Sequence, residues 1–393
     1  MSNPVEYIRR YHAELTAFRR DIHAHPELAF EEERTAQHVA DHLTAWGIEV
    51  HRGLAKTGVV GVIPGQRVGR RAVGLRADMD CLPMHETAAR PYQSRREGRM
   101  HACGHDGHTT MLLGAARYLS ETRRFEGTAY VIFQPAEEHG GGGNVMVQEG
   151  LFERFPADEV YALHNWPGLP PGQIAVRAGP VLAATDEIRI EVHGKGGHAA
   201  MPHLTVDPVV VAAHIITALQ TIASRNVSPL DAIVISVCSV ETSQLGTFNV
   251  IPEAVKLVGT VRTFRAETQD LAERRIREIA TAVASGLGGS AQVHYIRGYP
   301  ATVNTEREAD FAARVGERIF GPDNVVREFD PTMGGEDFAY MLRARPGAYV
   351  LLGQGGSASG CWLHNPTYDF NDDVIPLGAG YLAALAEEAL PLA

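Results

Sequence analysis

One segment in the first third of the chain concentrates side chains that a protein rarely buries without a partner. Residues 100–108 read Met-His-Ala-Cys-Gly-His-Asp-Gly-His, which brings one thiol and three imidazoles close together along the chain. Thiolate and imidazole are ligands that a borderline-soft divalent metal such as Zn²⁺ takes in proteins. The segment therefore predicts a metal site and a fold that brings further ligands to it.

Three more places supply candidate ligands. Glu137 and Glu138 are adjacent carboxylates at the end of an apolar run, and His164 and His364 are isolated histidines further along the chain. One carboxylate of such a pair can bind a metal while the other moves a proton, as a metal-dependent hydrolase requires. Each place also has a simpler interpretation: the Glu pair as a solvated loop beside Gly140–Gly143, and each histidine as a structural or exposed residue.

The residues around Cys103 leave similar alternatives. Cys103 and His105 form a C-x-H pair that can point two ligands at one metal, but a free cysteine is often simply buried. Asp106 is a candidate helix cap, and His108 a candidate hydrogen-bonded wall of the site. Cys361, three residues before His364, is either a further ligand or a buried thiol.

Asp78 and Asp80 alternate along Leu75-Arg-Ala-Asp-Met-Asp80 and so share one face of an extended segment. That placement suits carboxylates that orient a ligand histidine. The alternative is ordinary chemistry at a strand end, with Arg76 pairing locally.

Bulk properties limit the class of protein. The length of 393 residues favours two domains, and the net charge of −11 without a cluster of basic residues argues against nucleic acid as a partner. We expect no membrane span and no signal peptide, because no apolar run approaches ~18 residues and the N-terminal segment is charged. Four cysteines without paired spacing favour free thiols and a cytoplasmic location.

Periodicity predicts two kinds of domain. Short buried strands alternate with helices up to residue 181, which predicts an α/β domain with a largely parallel sheet: strands Gly58–Ile63, Ala72–Arg76, Gly127–Phe133 and Tyr161–Asn165, and helices Glu6–Ala24, Glu31–Trp46 and Thr109–Thr122. Residues 182–296 follow the order β-α-β-β-α-β, which is that of a ferredoxin-like α+β domain. Residues 297–393 return to α/β character and carry His364, so the middle domain is an insertion.

Several motifs, in the same order along the chain, resemble one known family. They are Arg20–Leu28, Arg76–Asp80, the Cys103 segment, Gln134–Glu138, Gly194–Ala200 around His198, Met333–Phe338 and His364–Pro366. The chain resembles the metallopeptidase and amidohydrolase superfamily of aminoacylase-1, carboxypeptidase G and the succinyl-diaminopimelate desuccinylases. Within it, the likeness is to the branch of hippurate hydrolases and auxin-conjugate hydrolases, and it covers nearly the whole chain.

The resemblance implies a two-metal site in a Zn-peptidase-like α/β domain, with the ferredoxin-like insertion as a lid and dimerisation domain. Glu137 is then the general base and acid, and the implied metal ligands are Cys103, His105, Glu138, His164 and His364. In the best-known members of the superfamily a His-x-Asp motif and a bridging Asp stand where this chain has Asp78-x-Asp80 and Cys103. The thiolate softens the site, so the resemblance leaves Zn, Mn, Co and Ni as candidate metals.

The resemblance also assigns roles in the inserted domain, where the residues alone favour only a Gly-rich turn and a solvent-facing strand arginine. It implies that His198 reaches the active site of a partner subunit and stabilises the oxyanion. Asn249 and Arg262 match positions that hold the substrate, with Arg262 at its carboxylate. The backbone at Gly334 and Gly335 is expected to line the pocket.

These features together predict hydrolysis of the amide bond of a small N-acyl amino acid by a homodimer or higher homo-oligomer. A metallo-dipeptidase or carboxypeptidase is the first alternative, and faster turnover of free dipeptides would distinguish it. A catalytically silent metal- or amino-acid-binding protein is the second, although Glu137 has no role in mere ligand binding. A serine hydrolase is disfavoured because the sequence contains no G-x-S-x-G.

Overall fold

The structure is a computed structural model that describes residues 3–244, 246–356 and 362–392. The chain divides into two compact units. The first consists of Met1–Val181, Thr302–Asp330 and Asp337–Ala393, and the second of Leu182–Ala301 and Pro331–Glu336.

A mixed eight-stranded sheet forms the centre of the first unit, with the order β1-β2-β4-β3-β5-β16-β6-β15. Its strands are β1 (Glu49–Leu54), β2 (Gly58–Pro64), β3 (Arg67–Asp78), β4 (Glu126–Gln134), β5 (Glu159–Trp166), β6 (Ile174–Ala175), β15 (Val325–Val326) and β16 (Gly347–Gly353). Strands β4, β3, β5 and β16 run parallel, whereas β1 and β2 pair antiparallel at one side. The predicted α/β class is confirmed, and the parallel strands occupy the middle of the sheet. A separate two-stranded sheet pairs β7 (Gly179–Leu182) with β14 (Thr302–Asn304).

Helices cover this sheet, and α4 packs against α2 and α11 in the main hydrophobic core. The helices of the first unit are α1 (Pro4–Ile8), α2 (His12–Ala24), α3 (Glu33–Ala45), α4 (His105–Thr122), α5 (Gly142–Gln148), α6 (Leu151–Arg154), α9 (Glu306–Phe320), α10 (Phe338–Ala344) and α11 (Ile375–Ala389). The helix predicted over Glu6–Ala24 is interrupted by a 3₁₀ turn at Arg9–Tyr11. Helix α4 begins four residues before the predicted Thr109, so His105 and His108 lie in its first turn.

The second unit is an antiparallel four-stranded sheet with two helices, in the chain order β8-α7-β10-β12-α8-β13 that the sequence predicts. The sheet has the spatial order β10-β12-β8-β13 and consists of β8 (Ala184–His193), β10 (Ile233–Thr242), β12 (Ala254–Thr263) and β13 (Ser290–Arg297). The helices are α7 (Pro208–Thr221) and α8 (Ala266–Gly286), and the short strands β9 (Gly197–His198) and β11 (Val250–Ile251) pair beside them.

One helical stretch of the described residues, Pro208–Asn226, is long and apolar enough to cross a membrane by length and composition. This is weak evidence, because core helices of globular proteins pass the same test. Val211, Ile215 and Leu219 of this stretch belong to the hydrophobic core of the second unit. Packing within that unit thus buries one face of the stretch, and 33% of its most apolar window is buried.

Candidate metal centre

The candidate site residues lie at one edge of the sheet, where the parallel strands end. Strand β3 ends at Asp78, β4 ends at Gln134 just before the Glu pair, and His164 lies near the end of β5. Ligand sites in open α/β sheets lie beyond the carboxyl ends of parallel strands. The order of the strands therefore explains why residues far apart in sequence converge here.

Gly104 allows the Cys/His segment to enter α4 at this edge. Its φ of 98° is in the left-handed region that favours glycine, and a Cβ atom there would overlap the side-chain oxygen of Asn165. The sharp turn at Gly104 leaves Cys103 on the loop and His105 at the first position of the helix, both buried. A larger residue at position 104 would separate these two side chains.

Cys103, His105 and His164 form a first buried ligand group, with their ligand atoms within 4.8 Å of one another. The Sγ atom of Cys103 lies 3.4 Å from Nε2 of His164. Nδ1 of His105 is 2.9 Å from the carbonyl oxygen of Asp80, and Nδ1 of His164 is 2.7 Å from that of Asn165. A carbonyl oxygen only accepts hydrogen bonds, so each Nδ1 donates and each Nε2 is the atom available to a metal.

A second ligand group consists of Cys103, Glu138 and His364, and it shares the cysteine with the first. Nε2 of His364 lies 3.3 Å from Oε1 of Glu138, and 3.9 Å separates the same oxygen from Nε2 of His105. His364 has a φ of 60°, and its backbone N–H donates to the carbonyl oxygen of Ala102 at 2.8 Å. That hydrogen bond ties the His364 loop to the residue before Cys103. Cys361 lies outside the described residues.

The donor set fits a divalent metal. Nε2 of His105 and Oε1 of Glu138 are buried, and within the described part of the chain neither makes a regular hydrogen bond. Their contacts are longer ion pairs, 3.3 Å from Oε1 of Glu138 to His364 and 3.9 Å between the two atoms. Polar atoms that are buried with such weak partners cost free energy, and a metal ion at this point reduces that cost. The two ligand groups and these two atoms therefore mark one place where cations can bind.

Local electrostatics in the metal-free protein agree with that interpretation. Burial and the nearby Glu138 raise the pKa of the Cys103 thiol, so the thiolate forms only when a cation is close. Burial and His108 lower the pKa of His164, which leaves its imidazole neutral as a metal ligand must be. Burial opposes ionisation of Glu138, but contacts with His364 and His105 outweigh it and lower the pKa of this carboxyl.

The two aspartates after β3 have different partners. Asp80 lies beside His105, with its Oδ1 3.3 Å from Nδ1 of the imidazole, and also accepts the backbone N–H groups of Glu137 and Glu138 at 3.0 Å each. Asp78 binds Nδ1 of His108 at 2.6 Å and the Arg76 guanidinium at 2.8 Å. Asp80 is thus placed to orient a candidate ligand, whereas Asp78 holds His108.

His108 forms a wall of the site. Its Nδ1 is bound by Asp78, and its Nε2 lies 2.5 Å from the side-chain oxygen of Asn165. The ring packs against His164 with centroids 4.4 Å apart. With both nitrogens engaged, His108 supports the ligand histidine next to it rather than offering a free lone pair.

Sequence reasoning missed a buried charged layer behind the ligands. Arg19 is fully buried and contacts Asp106 at 3.3 Å and Asp372 at 2.7 Å. His23 lies between Asp106, 2.8 Å from Nδ1, and Glu86, 3.4 Å from Nε2. Asp106 therefore does not cap α4 as the sequence suggested, because Gly104 is the N-cap residue and His23 binds the Asp106 carboxylate. His23 and Asp106 lie in motifs that the sequence analysis singles out, but their residue types alone do not distinguish these charges, or that of Arg19, from surface residues.

The remaining candidate residues lie in the second unit. His198 in β9 is exposed and faces Val250 of β11 across the strand pair, and its Nδ1 accepts the N–H of Ala200 at 3.1 Å. Asn249 immediately precedes β11, and its carbonyl oxygen accepts the N–H of Ala199 at 3.1 Å. The two side chains are thus held on neighbouring segments of one small strand pair.

Arg262 lies on β12 opposite Thr185 of β8. It is half-buried. Burial lowers the pKa of its guanidinium, and the nearby Asp186 only partly offsets that effect. Gly335 approaches Thr185 so closely that a Cβ atom would overlap its methyl group, and the N–H of Gly334 donates to the Thr332 hydroxyl at 3.0 Å.

The fold and the donor set define a metal-dependent hydrolase with an α/β catalytic core. Residues 74–388 match the model of peptidase family M20/M25/M40, and the chain belongs to that family. It is 38% identical over 384 residues to the hippurate hydrolase of Campylobacter jejuni, with 98% of each chain covered. It is 36% identical to an N-acetylcysteine deacetylase of Bacillus subtilis, covering 96% of this chain and 97% of the relative.

A solved structure gives the same family assignment. The YXEP protein of Bacillus subtilis, described as a dinuclear metal-binding peptidase of the M20 family, superposes with a TM-score of 0.85 at 32% identity. The superposition covers 97% of this chain and 99% of that chain. The family resemblance inferred from the motifs is therefore confirmed.

The buried His23 predicts a pH dependence of stability. Burial alone lowers its pKa, but hydrogen bonds with Asp106 and Glu86 outweigh burial and raise the pKa to about 9. Because this value exceeds that of an unfolded histidine, ~6.5, the stabilisation is complete below pH ~6.5 and is lost as the pH rises through about 9. The loss amounts to up to roughly 3 kcal/mol.

Denaturant unfolding of metal-free protein between pH 6 and pH 10, compared with the variant His23→Gln, measures this effect. We expect the difference in unfolding free energy between wild type and variant to shrink across that interval. A difference that stays constant with pH would show that His23 is not charged in the folded protein.

Proposed function

We propose that this protein is a metal-dependent amidohydrolase that cleaves the amide bond of N-acyl amino acids to a carboxylic acid and an amino acid. The observation that carries the proposal is the pair of ligand groups sharing Cys103, with the buried carboxylate of Glu137 beside them. The names of the two relatives indicate the class of substrate. Hippurate is N-benzoylglycine, and N-acetylcysteine carries an acetyl group, so both named substrates contain the same amide bond.

Two divalent metal ions per chain fit the donor set, one for each ligand group, with Cys103 common to both. The proposed ligands are Cys103, His105, Glu138, His164 and His364. When bound, such ions act as Lewis acids and lower the pKa of a water molecule toward ~7. Zn, Mn, Co and Ni are the candidates that the family resemblance leaves, and among them one thiolate and three imidazoles favour the borderline ions Zn, Co and Ni over the harder Mn.

Glu137 is the proposed proton carrier. Its side chain is almost fully buried, its carboxylate lies 4.0 Å from Nε2 of His105, and its backbone N–H is fixed by Asp80. A carboxylate so placed takes a proton from the attacking water and returns it to the leaving nitrogen. The second carboxylate, Glu138, would hold the metal and takes no part in this proton transfer.

The second unit is the proposed lid and dimerisation domain of a homodimer. His198, contributed by the partner subunit, donates a hydrogen bond to the oxyanion of the tetrahedral intermediate, a contact often worth ~3 kcal/mol in the transition state. Arg262 binds the carboxylate of the amino-acid part, and Asn249 with the backbone at Gly334 and Gly335 completes the pocket. We propose a cytoplasmic location, since the four cysteines have no paired spacing.

Hydrolysis by metal-stripped protein, re-supplied in turn with Mn²⁺, Zn²⁺, Co²⁺ and Ni²⁺, tests the proposal. The substrate panel pairs N-acetyl and N-benzoyl amino acids with free dipeptides and with N-acyl amino-acid amides, which lack the carboxylate for Arg262. We expect metal-restored release of amino acid from the N-acyl set and poor turnover of the amides. Cleavage of the dipeptides alone would favour the metallopeptidase alternative, and no turnover with any metal would contradict the proposal.

Replacement of Glu137 separates proton transfer from metal binding. Glu137→Gln keeps the size of the side chain but removes the base, so kcat should fall by at least ~100-fold while metal content stays at the wild-type level. The matched variant Glu138→Gln should lose metal, because it weakens a ligand. The two properties are measured together, as hydrolysis rate and metal per chain by elemental analysis. A Glu137→Gln enzyme with a near wild-type rate would remove Glu137 from the mechanism.

A further inference from the structure

Strained backbone is concentrated around one buried glutamate, Glu32. Of the six described non-glycine residues with positive φ, four lie in the segments that meet there: Phe30 (62°), Ala55 (47°), Lys56 (69°) and Ala136 (57°). Side chains other than glycine rarely adopt this conformation, and such residues persist only where surrounding contacts enforce it. Ala55 and Lys56 lie in the hairpin turn between β1 and β2, where positive φ is common. Phe30 and Ala136 lie outside that hairpin, so the contacts that hold these two residues are the informative ones.

The carboxylate of Glu32 joins three of these segments. Its Oε1 accepts the backbone N–H of Phe30 at 3.1 Å and of Ala136 at 2.9 Å, and its Oε2 accepts the hydroxyl of Thr57 at 2.6 Å. Glu32 is completely buried. Burial raises the pKa of Glu32 to about 7, although the hydrogen bonds from Thr57 and from the backbone N–H groups favour its charged form.

One of the three segments is the turn that carries Glu137. Three successive N–H groups of this turn point at two carboxylates: that of Ala136 at Glu32, and those of Glu137 and Glu138 at Asp80. Successive N–H groups in such a conformation form a concave anion-binding surface. In this protein the anions are the chain's own side chains, so the path of the backbone into Glu137 is set by residues from two other elements.

A contact between Phe30 and Gly140 holds the chain on the C-terminal side of the Glu137–Glu138 turn. Gly140 has a φ of 102°, and a Cβ atom there would overlap the ring of Phe30, which lies two residues before Glu32. The N–H of Gly142 donates to the carbonyl oxygen of Ala136 at 3.0 Å. Both ends of the Glu137–Glu138 turn are thus fixed against the segment that contains Glu32.

We propose that Glu32 is a positioning residue for Glu137: by holding Ala136 in the left-handed conformation, it sets the direction in which the Glu137 carboxylate leaves the strand end. This inference rests on the proposed role of Glu137 in proton transfer. Without Glu32, Ala136 relaxes to an ordinary conformation and the carboxylate that follows it is displaced. A misplacement of about 1 Å costs a catalytic group roughly 100-fold in rate.

Glu27 provides a matched control on the same segment. It is also a buried carboxylate that accepts three hydrogen bonds, from the N–H of Arg34 at 3.1 Å and from the N–H and hydroxyl of Thr35 at 2.8 and 3.0 Å. These hydrogen bonds hold the first turn of α3 and do not involve the turn after β4. Removing Glu27 therefore tests the loss of a buried structural carboxylate without disturbing Ala136.

The experiment compares Glu32→Ala, Glu32→Asp, Glu32→Gln and Glu27→Ala in metal-loaded enzyme. We expect Glu32→Ala, and Glu32→Asp if the alanine variant does not fold, to lower kcat by about 100-fold with little change in KM and with wild-type metal content. Glu32→Gln retains an oxygen for the two N–H groups and an amide donor for Thr57, so it should recover most of kcat. Glu27→Ala should lower the thermal midpoint and leave kcat within about twofold of wild type.

Hydrogen–deuterium exchange gives a readout that does not depend on activity. Exchange of the amides of residues 136–138 should accelerate in Glu32→Ala or Glu32→Asp and stay unchanged in Glu27→Ala. Unchanged exchange, or a kcat for Glu32→Ala and Glu32→Asp equal to that of Glu27→Ala, would overturn the positioning role. If wild-type enzyme does not hydrolyse N-acyl amino acids, the proposed function fails, and the exchange rates alone decide whether Glu32 holds the turn.

Discussion

The structure depends on buried ligand atoms that only a cation can satisfy together. Cys103 belongs to both ligand groups, and beside it Nε2 of His105 and Oε1 of Glu138 are buried without hydrogen-bond partners among the described residues. Buried polar atoms with weak partners, and a buried thiol that must ionise to bind a metal, are costly without a cation. We therefore expect metal binding to stabilise the fold at this edge of the sheet.

Several buried carboxylates in this protein hold backbone and side chains in place, in addition to those proposed as metal ligands. The carboxylate of Asp80 lies beside His105 and accepts the N–H groups of Glu137 and Glu138, while that of Glu32 accepts the N–H of Ala136. Behind the ligands, Asp106 connects the start of α4 to Arg19 and His23. The proposed metal ligands are thereby held by a second set of side chains whose own partners lie on several elements, and these contacts limit how far the proposed ligands can move.

Much of this could be predicted from the sequence, because ligand chemistry is visible in residue types. Cys103, His105 and the Glu pair stand out, and the periodicity of the short strands predicts the α/β class. The start of α4 at His105 was missed because His, Asp and Gly in its first turn are typical of a loop, and only tertiary packing fixes Gly104. Glu32 was missed because it lies in the run Glu31-Glu32-Glu33, where nothing but the fold distinguishes the buried residue from its exposed neighbours.

Titration of metal-stripped protein with Co²⁺, following thiolate-to-cobalt absorption and hydrolysis of an N-acyl amino acid in the same samples, tests the central claim most directly. The account predicts that absorption and activity both saturate at two Co²⁺ per chain, and that Cys103→Ala abolishes the thiolate band and most of the activity. Hydrolysis that develops without a thiolate band, or that survives loss of Cys103 at the wild-type rate, would contradict a site built around a shared thiolate.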